Sequence, residues 1–286
     1  MAIDYDKLIN LDIPQTTQQY APRDAILYAL SLGYGSDPLD ATQLPLVYEE
    51  GLRTVPTMGV VLGHPGYWPR TLDSGLDWVR IVHAEQALEL HKPLPPEARV
   101  IGVSRIVDIV DKGAGKGALI TYERRILEAG SNEPLCTITQ TMLARGDGGF
   151  GGPQRKSDPP PAIPERAPDL QADLSTPPNM ALLYRLNGDW NPLHADPAVA
   201  RKAGFDRPIL HGLATWGIAG RAIMQEVVAC DGGRIASIFG RFTAPAYPGE
   251  TFRTQIWVDG PEVRFRVRSV EREIVVIDNG RVLLRD

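Results

Sequence analysis

The chain predicts an α+β fold built as two copies of one unit, each a long helix wrapped by an antiparallel sheet. Three observations predict it. A proline-dense stretch, residues 153–178, divides the sequence in two. The sequence echoes itself on either side of that stretch at an offset of about 154 residues. In the second half, one apolar helical run is followed by strand-like runs separated by turn signals.

The dividing stretch reads PQRKSDPPPAIPERAPDLQADLSTPP. Proline removes backbone donors and disfavours helix, so the stretch predicts a linker with no packed element. That leaves an N-terminal unit at residues 1–152 and a C-terminal unit at residues 179–286. AILY from Ala25 is echoed by ALLY from Ala181, PLDA from Pro38 by PLHA from Pro192, and Arg53 by Arg207. KPLPPE from Lys92 is echoed by APAYPGE from Ala244. The shared order of these matches argues for duplication.

In the first copy, a helical stretch around Ala25 is followed by strands at residues 98–111, at 117–128 and from Pro134 onward. DKGAGKG makes the flexible turn between the first two strands. The counterpart of the second copy's buried helix falls near Met58 or Ile81, and its boundary stays open. In the second copy, a helix from about Asn179 ends near Gly188. Asn191-Pro192 and Asp196-Pro197 each pair a capping side chain with proline at the first helical position, and Gly204 is a stop signal. Residues 209–229, ILHGLATWGIAGRAIMQEVVA, are apolar on most sides, which predicts a buried helix. Its Gly212, Gly217 and Gly220 are expected to let strands approach closely. Three alternating runs follow, with turn signals at Pro248-Gly249, Asp259-Gly260 and Asn279-Gly280.

The 286 residues are 43% apolar and 23% charged. A chain of this size buries roughly 70–75% of its unfolded surface, so stability needs no metal or disulfide. A net charge of −5 and a pI near 5.6 exclude the basic footprint of a nucleic-acid binder. Cys136 and Cys230 fit no metal or redox spacing; they read as small buried hydrophobes in a reducing compartment. No apolar run approaches the ~18 residues of a membrane span, and neither end carries a targeting signal. The expected location is the cytoplasm.

Candidate chemistry centres on LNGDWNPLHADP, where Asp189, Asn191 and His194 share a tight connection. Asx-Pro pairs commonly start helices, so capping accounts for Asn191 alone. His194 adds a group that titrates near neutrality, and beside Asp189 it forms the smallest workable acid–base pair around one water. At the start of the buried helix, backbone N–H groups lack intrahelical partners and carry the positive end of the dipole. Gly212 leaves such an N–H open to a carbonyl oxygen that is gaining charge, while His211 reads as structural, fixing the turn through a ring hydrogen bond.

The run YRLNGDWNPLHADPAVARKAGFDRPILHGLATWG resembles the signature of the MaoC-like hydratases, specifically the type 2 enoyl-CoA hydratases. RDAILYALSLGYG, PTMGVVLG, ELHKPLPPEA, RGDGGFGG and PAYPGETFRT extend the resemblance over nearly the whole chain. It implies a double hot-dog fold. It implies reversible syn addition of water to a trans-2-enoyl-CoA, giving a (3R)-3-hydroxyacyl-CoA. Asp189 and His194 fall on the family's catalytic pair, Asn191 on its supporting asparagine and Gly212 on its oxyanion donor. No metal or redox cofactor is implied. The acyl-CoA substrate is the expected ligand, and a homodimer the expected assembly. The first copy has Asp40 in PLDA where the second has His194, and GYGSD in place of GDWN, so one site per chain follows. By the resemblance, the first copy houses the acyl tail, with PTMGVVLGHPG (residues 56–66) as a candidate tunnel wall; a turn and a buried strand account for that segment equally well.

Candidate contacts to the coenzyme's phosphates are Arg207, Arg241, Arg145, Arg155 and Lys156, each also readable as a solvated surface charge. RGDGGFGG is glycine-rich but lacks the strand-to-helix setting of a phosphate loop, so it reads as the tight end of a strand. His64, His83 and His91 read as structural, and Tyr184 as core with a secondary role at the pocket. Two rival functions are a hot-dog acyl-CoA thioesterase and a non-catalytic acyl-CoA-binding partner. The paired Asp189 and His194 argue against both, because hydrolysis does not need the double set and a degenerate copy would have lost it.

Overall fold

The computed structural model describes residues 3–154 and 159–285. The first half holds β1 (Thr16–Tyr20), β2 (Ile81–Leu90), β3 (Ala98–Asp111), β4 (Ala118–Glu128) and β5 (Pro134–Ala144). The second holds β6 (Leu170–Ser175), β7 (Ile235–Phe242), β8 (Thr251–Asp259), β9 (Glu262–Ser269) and β10 (Ile274–Leu284). Among the described residues, helices α1 (Tyr5–Ile9), α2 (Pro22–Ser31), α3 (Leu44–Val47) and α4 (Trp68–Thr71) belong to the first half. Helices α5 (Met180–Tyr184), α6 (Pro197–Lys202) and α7 (Gly212–Glu226) belong to the second.

All ten strands form one antiparallel sheet, ordered β1-β3-β4-β5-β2-β7-β10-β9-β8-β6. Read inward from its two edges, the order is the same in both halves, so the duplication is visible in topology. The edge strands begin at residues 16 and 170, and the central strands at 81 and 235, both 154 apart. The halves join where β2 pairs β7, from Glu85 opposite Arg241 to Glu89 opposite Ser237. Arg241 reinforces the seam, donating from Nε (2.9 Å) and Nη2 (2.5 Å) to Glu85 Oε1. This is the double hot-dog arrangement.

The 15-residue α7 is buried without interruption from Ala214 to Met224, as its all-round apolar sequence requires. Gly212 faces a strand as expected, since a Cβ there would meet Phe242 of β7 at 3.4 Å, but the other two glycines admit different neighbours. A Cβ on Gly217 would stand 2.7 Å from Leu32 at the end of α2, and one on Gly220 2.7 Å from Thr57. Both neighbours are helical or turn residues of the first half rather than strands.

Three further expectations change. Among the described residues, the first half has no long helix: where α7 precedes β7, two 3-10 turns (Pro56–Val61 and Trp78–Arg80) and the four-residue α4 precede β2. PTMGVVLGHPGYWP is broken by prolines and glycines too often for a longer helix. Met58 lies on the first of these turns, and Ile81 opens β2, which the sequence had not marked as a strand. The proline-dense divider also contains a packed element. Its proline-free part forms β6, which pairs β8 from Leu170 opposite Ile256 to Ser175 opposite Thr251, whereas residues 159–168 form neither helix nor strand. Finally, Asn279-Gly280 lies inside β10, where pairing with β7 jumps from Asp278 to Arg281 and Asn279 takes φ 56°. The turn residues there make a β-bulge.

Candidate active site

Two turns of the second half converge. The first begins where α5 runs into a 3-10 turn (Arg185–Asn187) and stops at Gly188, whose φ of 113° is open to glycine. Asp189 follows. Its Oδ1 accepts the Asn191 N–H at 3.2 Å, and Asn191 Oδ1 accepts the Leu193 N–H at 3.1 Å, capping the short turn Pro192–His194. Asn191 therefore acts through the backbone, as the Asx-Pro reading expects. The second turn is the start of α7, with His211 as its extended N-cap. Asp189, His194 and His211 each bring one oxygen or nitrogen within 4.8 Å of the others. The two imidazoles stack at 3.8 Å with 26° between planes.

Hydrogen bonds assign the tautomers. His194 Nδ1 donates to the Ile209 carbonyl at 2.9 Å, which leaves Nε2 with its lone pair. Burial lowers the His194 pKa, and the Asp189 carboxylate partly opposes that shift. The ring is therefore a neutral base near neutral pH. His211 Nε2 donates to the Asp189 carbonyl at 3.3 Å, the ring hydrogen bond expected of a structural histidine. Burial, reinforced by His194, pushes its pKa down to about 4. Two imidazoles and a carboxylate are a donor set that zinc uses. Stacking argues against that fit, because ring lone pairs lie in the ring planes, and two nearly parallel planes do not aim them at one ion.

Gly212 is the first residue of α7, so its N–H has no intrahelical acceptor and sits at the positive end of the helix. A Cβ there would meet the Phe242 ring at 3.4 Å, an ordinary contact. Phe242 in turn packs on His83 at 4.6 Å. His83 Nε2 donates to the Glu85 carbonyl at 3.1 Å. Burial lowers its pKa to about 4, against the pull of Asp189. His83 and Phe242 thus border the candidate oxyanion site. The β2–β7 junction brings them there, and neither carries a local signal that sequence reasoning could have used.

Residues 160–280 match the family model described as MaoC like domain, and residues 18–146 match the MFE-2 hydratase 2 N-terminal domain. The chain is 39% identical to an enoyl-CoA hydratase, ChsH3, of Mycobacterium tuberculosis, over 98% of each chain. It is 36% identical to the peroxisomal enoyl-CoA hydratase 2 of Arabidopsis thaliana, covering 95% of this chain and 93% of that one. A crystal structure of a MaoC-like dehydratase from Phytophthora capsici superposes with a TM-score of 0.87 at 33% identity, over 99% of both chains. The chain belongs to the MaoC-like hydratase family. That membership places it among the hydro-lyases.

Within this MaoC-like chain, the matched second half holds Asp189, Asn191, His194 and Gly212. The hydratase 2 N-terminal half has spent the equivalent turn on local bonds: Asp40 accepts from the backbone and hydroxyl of Thr42 and from the Gln43 amide. The other residues singled out from the sequence have partners or settings of their own. Arg241 is held by Glu85, and Arg207 stacks on Tyr247 at 5.0 Å. Arg145 is exposed, and Arg155 and Lys156 lie outside the described residues. The glycines after β5 do cradle an anion, but it is the protein's own. Asp111 accepts N–H bonds from Gly113, Gly149 and Gly151 at 2.7–2.9 Å, led by Gly149 in holding its pKa down. His91 bonds Thr137 at 2.8 Å. Tyr184 is buried with its ring 5.1 Å from His211. Both cysteines are buried and free. Among the described residues, no helix is long and apolar enough to cross a membrane.

Proposed function

We propose that the chain catalyses reversible syn hydration of a trans-2-enoyl-CoA to a (3R)-3-hydroxyacyl-CoA. The observation that carries this reading is a neutral His194, its Nε2 lone pair free, beside Asp189 and stacked on His211, the N-cap of α7. Asp189 and His194 hold one water. His194 Nε2 takes a proton from it as the oxygen adds to C3, and the C2–C3 π electrons move onto the thioester oxygen. The Gly212 N–H donates to that oxygen while it is enolate-like. The carbonyl then re-forms as the Asp189–His194 pair returns the proton to C2 on the same face. The balance is one water added, and the sequence of steps uses no metal or redox cofactor. Asn191 holds the turn, and His211 holds the His194 ring by stacking.

The first half receives the acyl tail in this proposal, and a cytoplasmic homodimer is part of it. The test is trans-2-butenoyl-CoA with the purified chain. Loss of enoyl absorbance without free thiol, with the (3R) product, is expected. Thiol release without hydration would make the chain a thioesterase, and binding without turnover would make it a partner protein.

A further inference from the structure

The inner face of the first half's sheet is not uniformly apolar. One apolar cluster contains Val100, Ile126, Cys136, Ile138 and Leu88, and a separate one contains Ile106, Ile120 and Met142. Between them runs a row of polar side chains set by strand register. Ser104 of β3 lies opposite Arg124 of β4. One pair further along, Tyr122 of β4 lies opposite Gln140 of β5, and Gln140 opposite Gln86 of β2. The Tyr122 hydroxyl donates to Gln140 Oε1 at 2.6 Å. Gln86 lies opposite Gly240 of β7, where a Cβ would come within 3.2 Å of the Trp216 ring on α7.

Arg124 is the anomaly in this row. It is 1% exposed, Nη2 donates to the Val60 carbonyl at 2.6 Å, and the Tyr122 hydroxyl lies beside the guanidinium. Its Nε and Nη1 have no hydrogen-bond partner, and neither has the Ser104 hydroxyl beside it. Burying a cation with donors unpaired is unfavourable, and one bond to a carbonyl needs only one donor. The bonds within the protein therefore leave the guanidinium's remaining donors unexplained.

Arg124 is tied to the turn that packs on α7, the helix whose first residue is Gly212. Val60 is the penultimate residue of the 3-10 turn that stands in place of a long helix, and His64 follows four residues later. His64 is exposed, and its Nδ1 accepts the Gly66 N–H at 3.1 Å. Thr57 of the same 3-10 turn packs against Gly220 of α7, eight residues and roughly 12 Å along the helix from Gly212.

We propose that Arg124 is a specificity determinant that hydrogen-bonds an oxygen on the distal part of the acyl tail. The favoured substrates are then enoyl thioesters whose tail carries a carboxylate or ketone rather than a plain alkyl end. This rests on the hydratase reading with the tail in the first half. A charge-assisted hydrogen bond in a buried setting favours the oxygenated tail by about tenfold to a hundredfold.

The experiment compares trans-2-enoyl-CoA pairs of matched length, one ending in methyl and the other in carboxylate or ketone, over a ladder of lengths. The full chain is expected to show a higher kcat/KM for the oxygenated member at one or more lengths. Arg124→Met is expected to abolish that preference while trans-2-butenoyl-CoA, whose tail is too short to reach, is hydrated as before. A methyl preference at every length overturns the proposal, and so does an oxygenated preference that survives in Arg124→Met. If Arg124→Met does not fold, Ser104→Val and Arg124→Lys take its place, with the preference unchanged in both counting against the assignment. If wild type fails to hydrate trans-2-butenoyl-CoA, it is the hydratase reading that fails, and the two failures are distinct.

Discussion

Replacing Gly212 by proline isolates the catalytic use of a single backbone N–H. Position 212 is the first residue of α7, where proline fits because the N–H has no helical acceptor and the fixed φ suits the helix. His211 before it has φ −58° and ψ 135°, the extended conformation that a residue preceding proline prefers. A Cβ at 212 makes an ordinary 3.4 Å contact with Phe242, so Gly212→Ala is a matched control that adds carbon but keeps the donor. Losing one oxyanion donor costs about 2.7–4 kcal/mol of barrier, roughly a hundredfold to a thousandfold in kcat. Hydration of trans-2-butenoyl-CoA is followed by loss of enoyl absorbance, with circular dichroism and thermal unfolding confirming that both variants fold. Gly212→Ala is expected to stay near wild type and Gly212→Pro to fall by the stated factor. A folded Gly212→Pro within about tenfold of Gly212→Ala would remove the N–H from the mechanism and leave Gly212 only as a helix start.

The acid–base pair is tested by Asp189→Asn and His194→Gln, which preserve shape and are each expected to lose about 10²–10⁴ in kcat/KM with unfolding temperature little changed. Near-wild-type turnover in either would refute its role. The pH profile follows from the direction of the His194 shift: the base must be neutral, and burial holds its pKa below the ordinary 6.5. Activity is therefore expected to stay level as pH falls through 6.5 and to decline only at lower pH. Asp189 favours the protonated ring, so in Asp189→Asn the residual activity should have its acid limb moved further down. An acid limb centred above 6.5 would contradict the buried neutral base.

Legibility in the sequence followed the range of the interactions. The turn at Asn191-Pro192 was readable because a cap, a proline and a left-handed glycine act within a few residues. Strands β3, β4 and β5 were readable because inward and outward residues alternate locally. β6 was hidden by the prolines around it, since average composition over 153–178 conceals an eight-residue proline-free window. β2 was hidden differently: it pairs β5 on one edge and β7 on the other, a central position decided by residues far along the chain. The same distance explains why His83 and Phe242 were missed at the site's wall, and why Gly217 and Gly220 were matched to the wrong neighbours.

Under the proposed mechanism, duplication followed by loss explains why one chain would carry one site. The proposed mechanism needs two devices at once: a turn presenting Asp189 and His194, and a helix N-terminus at Gly212, whose N-cap His211 lies against them. The first copy retains the turn, but Asp40 stands at the histidine's position and is bound to Thr42 and Gln43. It also lacks the helix whose N-terminus would stabilise an oxyanion. An imidazole at residue 40 would therefore have no donor to work with, and a restored helix would have no base. Once either device was lost, the other was free to change. The short turn now in the helix's place carries the Val60 carbonyl that holds Arg124, and it packs Thr57 against Gly220 of α7. In the proposed mechanism the first copy is thus a wall of the site, and its polar residues are where substrate preference has room to differ.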